Sequence, residues 1–145
     1  MPSLKKLGEL SAPEGRGLLL ALALLPATGL ALRVGGLRLA WRALGLDTPS
    51  PVRRGTLDAR QLARLVAAAS RWGPFRCSCV GRSLVLQAML KRHGVESQLR
   101  LGVRKDGMRL AAHAWVEHQG RPLIDAADVG ENFAPFEPIS PDHRP

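Results

Sequence analysis

The sequence predicts an α+β domain, in which a helix that begins at Cys79 packs on a small antiparallel sheet and is preceded by N-terminal helices. Two observations carry this. Apolar residues recur at helical spacing through the first two thirds of the chain, and from Ser97 the period changes to two. Two Gly-terminated loops then punctuate the alternating stretch.

At 145 residues the chain suits one domain with a modest core, which we divide into an N-terminal helical arm, 1–50, and a domain over 51–145. Residues 1–17 read as a polar tail with at most one helical turn. Leu18 to Leu32 is apolar apart from Thr28 and is interrupted by Pro26. Lys5, Lys6 and Arg16 ahead of it imitate a signal peptide, but its length falls short of the ~20 residues that span a bilayer. From Leu30, the positions Val34, Leu37, Trp41 and Leu44 continue a helical stripe despite Gly35-Gly36. That stripe suits packing on the domain, on a partner or on a membrane surface.

Asp47 to Gly55 is a linker by its Pro and Gly content. Thr56 or Asp58 caps the next helix, which runs to about Arg71 and turns Leu62, Leu65, Val66 and Ala69 inward. In the third helix Cys79, Ser83, Leu86 and Leu90 share one face, and Gly94 supplies the C-terminal cap. Strands are expected at about 97–104, 108–117 and 121–126, joined by three-residue loops Lys105-Asp-Gly107 and His118-Gln-Gly120.

Net charge is +9 and the pI about 11.2, which raises nucleic acid as a partner. The distribution argues against it. Residues 1–104 hold 17 Lys/Arg and 5 Asp/Glu, whereas 105–145 hold 4 and 7, and three Phe, three Trp and no Tyr leave little for base stacking. A basic surface that receives an acidic peptide fits as well. The two cysteines, Cys77 and Cys79, are too close for an unstrained bridge and lack a second pair for zinc, so we expect a reducing, cytoplasmic setting, no metal and no cofactor.

The chemistry-bearing residues fall in a suggestive order. Unpaired N–H groups at a helix start favour an anion such as a thiolate, which makes Cys79 a candidate nucleophile. With the loops as drawn, His113 stands opposite Asp125 and on the face of Leu99 and Leu101, where the Cys79 helix should dock, whereas a two-residue Gln-Gly turn would put His113 and Asp125 on opposite faces. His113 would then take the thiol proton, Asp125 would orient the ring, and the Cys79 N–H would be one oxyanion donor, with Trp72 or Gln87 as candidates for a second. Each residue also has a plainer reading. Cys79 is a small buried hydrophobe, His113 a core or edge residue, and Asp125 a strand end, with Cys77 and Asp128 as rivals; His93, His118 and His143 fit a cap, a turn and a tail.

The segments Pro74-Phe-Arg76, Cys79-x-x-Arg82-Ser-Leu84, Leu90-Lys-Arg-His-Gly94, Leu101-Gly-Val103, Ala112-His-Ala-Trp-Val-Glu117, Gly120 and Asp125 together resemble the peptidase of lasso-peptide biosynthesis. This likeness spans about residues 60–136. It implies a papain/transglutaminase-like core and a cysteine protease that removes the leader from a ribosomally made precursor, with Cys79, His113 and Asp125 as catalytic residues. It also implies a separate leader-binding protein and an ATP-dependent cyclase as partners. Val80 departs from the family's usual Leu after the nucleophile. Two other readings stand beside this one: a transglutaminase or amidase built on the same triad, and a non-enzymatic basic module for nucleic acid or anionic membrane.

Overall fold

The computed structural model describes residues 8–49, 55–73, 76–124 and 132–136. Three helices and a four-stranded antiparallel sheet make up these residues, an α+β arrangement consistent with a transglutaminase-like core.

The first helix, α1 (Ala12–Ala43), starts earlier than the polar composition of residues 1–17 suggests. A capping box explains the early start: the Glu14 carboxylate accepts from the Ser11 backbone N–H at 2.9 Å and from its hydroxyl at 2.7 Å. These bonds, with Arg64 nearby, hold the Glu14 carboxyl below its usual range. Pro26 does not end the helix, although it deprives the Leu22 carbonyl of its partner. Burial of Ala21, Leu25 and Thr28 against α2 (Ala59–Trp72) and α3 (Cys79–Arg92) offsets that loss. The break falls at Gly36, whose φ of 67° and ψ of −161° lie outside the helix. The fifteen-residue apolar stretch is thus part of a helix long and apolar enough to cross a membrane, with 28% of its most apolar window buried in the fold.

Asp58 caps α2, accepting from the Gln61 N–H at 2.8 Å, and Leu62, Leu65, Val66 and Ala69 are buried as their spacing requires. At the end of α3, Gly94 adopts a φ of 71° as the cap, and the Lys91 ammonium donates to the Gly45 carbonyl (2.8 Å) and to that of Thr48. Gly55 closes against the same helix end, where a Cβ would lie 1.8 Å from the His93 ring. The linker's intervening residues, 50–54, lie outside the described residues.

The sheet runs in the order β3-β2-β1-β4, from β1 (Gln98–Asp106), β2 (Arg109–His118), β3 (Arg121–Pro122) and β4 (Ala134–Pro135). Both outer strands are two residues long and carry a proline, which has no N–H to extend the ladder. Leu99, Ala114 and Val116 face α3 and complete the core with Leu62, Leu84, Leu86, Met89 and Leu90, all essentially buried.

Both hairpin loops are one residue shorter than expected. Asp106 pairs with Arg109 across Gly107-Met108, and His118 with Arg121 across Gln119-Gly120. Positive φ at Gly107 (63°) and at Gln119 and Gly120 (52° and 74°) marks the primed two-residue turns whose twist matches that of the flanking strands. An odd shift in register turns a residue to the other face. His113 therefore pairs with Gly102 and lies opposite the face of Leu99 and Leu101, not on it.

Candidate active site

The start of α3 is set by Ser78, whose hydroxyl accepts from the Gly81 N–H at 3.0 Å. That cap makes Cys79 the first helical residue, at the positive end of the dipole. Cys79 is half-buried against the core, and both cysteines are free thiols. Burial pushes the Cys77 thiol up, and Arg82 only partly offsets it, so Cys77 is a poorer thiolate than an ordinary cysteine.

One hydrogen bond ties this helix start to the strand that holds His113. The buried Ser83 hydroxyl donates to the Ala114 carbonyl at 3.1 Å. Two residues along β2, the Val116 carbonyl accepts from the Leu123 N–H at 3.1 Å. Carbonyls two apart point to the same side of a strand, so Ser83 occupies the place a longer β3 would have taken. The start of α3 thus abuts the open edge of β2 at Ala114, with Cys79 about one turn, ~6 Å, from Ser83 on the same helix face, whereas the neighbouring His113 projects from the opposite face of the strand, with Trp115 and Phe133.

The His113 ring is held in an aromatic cluster. It stacks with Trp115 at 6.1 Å between centroids and 18° between planes, and tilts on Phe133 at 5.2 Å. Trp115 is fully buried, and its indole N–H donates to Glu117 Oε1 at 2.9 Å. The Arg104 guanidinium covers Phe133, 4.8 Å from the ring centre. Gly102, paired with His113, makes room: a Cβ there would lie 2.9 Å from Phe133 and 3.0 Å from the Trp115 ring.

Asp125 and its rival Asp128 lie outside the described residues, as do Pro74, Phe75 and His143. Gln87 lies two turns beyond Cys79, ~12 Å along the axis, which removes it as an oxyanion donor. It lines a cavity of about 820 Å³ at the far end of α3 with Glu96, Glu117 and Lys91, a space that contains neither Cys79 nor His113. Among the described residues, no cluster of three or more His, Cys, Asp or Glu could hold a metal ion.

The helical spacing puts Ser83 on the face of Cys79 but does not name its partner, and nothing in the spacing singles out Phe133. A glycine in the middle of a strand was the available signal for the aromatic cluster, because it marks a close approach.

A capped helix opening on a cysteine, set against the edge of an antiparallel sheet that carries a histidine, is the architecture of a cysteine-dependent hydrolase or acyltransferase. Residues 21–137 match the transglutaminase-like superfamily, and the chain belongs to it. It therefore carries a catalytic domain of cysteine protease or transglutaminase type. No curated protein and no solved structure matches the chain.

Proposed function

We propose that the chain is the leader peptidase of a lasso-peptide pathway, acting through Cys79, His113 and Asp125. His113 takes the Sγ proton, and the thiolate attacks the carbonyl carbon of the bond that joins leader to core. The Cys79 N–H stabilises the oxyanion. Collapse expels the core's amine, which carries away the proton held by His113, and leaves the leader as a thioester on Cys79. Water, deprotonated by His113, then releases the leader acid and restores the thiol. Asp125 holds the ring in the tautomer that permits both transfers.

The observation that carries this reading is the Ser83–Ala114 hydrogen bond, which fastens the Cys79 turn beside the His113 strand. The reaction class rests on superfamily membership, and the substrate rests on the motif likeness around Cys79 and His113. Recognition is delegated in part to the leader-binding protein, with the basic residues of 1–104 receiving acidic groups of the leader or of that partner. Added salt should weaken that association.

The test is mass spectrometry of a precursor peptide incubated with the chain and the leader-binding protein. Two fragments are expected, and Cys79→Ala should lower the rate by about a thousandfold or more. A single product joined through a new amide bond would make the chain an acyltransferase. Cleavage surviving in Cys79→Ala would remove the nucleophile assignment.

A further inference from the structure

The solvent side of α1 is as apolar as its core side. Gly17, Ala21, Leu25 and Thr28 are buried, whereas Leu19, Ala23, Ala27, Leu30 and Val34 form a second stripe that faces outward. Leu19, Leu30 and Val34 are 68%, 63% and 74% exposed. With steps of four, four, three and four residues, these five side chains line one face for about 22 Å before the break at Gly36. A helix apolar on all sides is normally covered on all sides.

Charge and composition identify the cover. Exposed arginines stand at both ends of the stripe, Arg16 before it and Arg33 beside Val34, with Arg38 and Arg42 following beyond the break, and the helix's one acid, Glu14, is engaged by Ser11. The stripe is wholly aliphatic. It offers no hydrogen-bonding group and none of the central Trp, Tyr or Arg anchors that dominate protein interfaces. Aliphatic side chains bordered by arginines suit acyl chains beneath anionic headgroups, with the long Arg side chains reaching up to the phosphates.

We propose that the outer face of α1 docks the protein on an anionic phospholipid surface, with the helix lying in the interface. Spanning the bilayer would strip Ala21, Leu25 and Thr28 from contacts that leave them 0%, 4% and 3% exposed, so the helix lies on the membrane while its inner face stays in the core. This inference is independent of the catalytic reading.

The test is cosedimentation of the full chain with vesicles of phosphatidylcholine alone or mixed with phosphatidylglycerol. The chain should pellet with the mixed vesicles and less with the neutral ones. Leu30→Glu combined with Val34→Glu alters only exposed positions, so circular dichroism should remain that of the parent while vesicle affinity falls about tenfold or more. Arg33→Glu with Arg38→Glu should act in the same direction. A parent chain that stays in the supernatant overturns the proposal, as does equal binding by the Leu30→Glu/Val34→Glu variant. A parent dimer in light scattering that this variant converts to monomer also overturns it, by assigning the stripe to a second copy.

Discussion

The Ser83 hydroxyl and the Ala114 carbonyl, 3.1 Å apart, join α3 to the edge of the sheet where β3 stops. Removing that donor leaves a buried carbonyl without a partner. Ser83→Ala should cost about 1–3 kcal/mol, measurable by urea denaturation. Under the proposed function, peptide cleavage should fall further than the unfolded fraction explains, because the Cys79 turn loses its attachment beside His113. Unchanged stability would show that water satisfies the carbonyl, and with it that the attachment is weak.

Gly102 decides whether the aromatic cluster around His113 can close. A Cβ would stand 2.9–3.0 Å from Phe133 and the Trp115 ring, and Trp115 is fully buried with its N–H engaged by Glu117. Gly102→Val should therefore destabilise the fold by about 1–3 kcal/mol and alter the near-ultraviolet circular dichroism of Trp115. Phe133→Ala removes the opposing wall from His113 without crowding the strand. Under the proposed function, it should lower kcat more than it raises KM.

Gly55 and His93 form a second close contact, at the opposite end of α3. Gly55→Ala forces the imidazole to move and endangers its 2.9 Å contact with the Met89 carbonyl. A loss of about 1 kcal/mol or more is expected. In a double-mutant cycle, His93→Ala should absorb much of that loss, because the clash then has no partner.

Cys77 supplies a pH prediction. Its thiol is raised by burial, so the folded state binds the proton more tightly than the unfolded chain does. The resulting stability is fully present below the ordinary cysteine range and is lost as pH rises through the elevated value. Cys77→Ala should remove this contribution to the alkaline decline in stability. In a Cys79→Ala background, iodoacetamide should modify Cys77 more slowly in the folded protein than in denaturant at the same pH.

The helical half of the fold was legible because its signals are local. Asp58 as a cap, the inward face of Leu62, Leu65, Val66 and Ala69, and Gly94 as a terminator each depend on residues within a turn or two of one another. Pro26 misled, because its local penalty is offset by packing against α2 and α3, segments far away in sequence. The sheet was legible in outline but not in register. Gln119 is not a residue expected at positive φ, so Gln119-Gly120 did not announce a two-residue turn, and the pairing of His118 with Arg121 removes the register on which Asp125 was set opposite His113; at the first hairpin Arg104 pairs with Ala111 instead of Met108, an odd shift that turns His113 to the other face. The bond from Ser83 to Ala114 spans 31 positions and leaves no periodic trace.

One end of α3 thus moors both flanks of the segment 50–54: Lys91 holds Gly45 and Thr48, and His93 lies against Gly55. Anchorage on both flanks means that added length there costs only the slow logarithmic growth of ring-closure entropy. A fluorophore tag or a protease site inserted within 50–54 should therefore be accommodated with little loss of melting temperature.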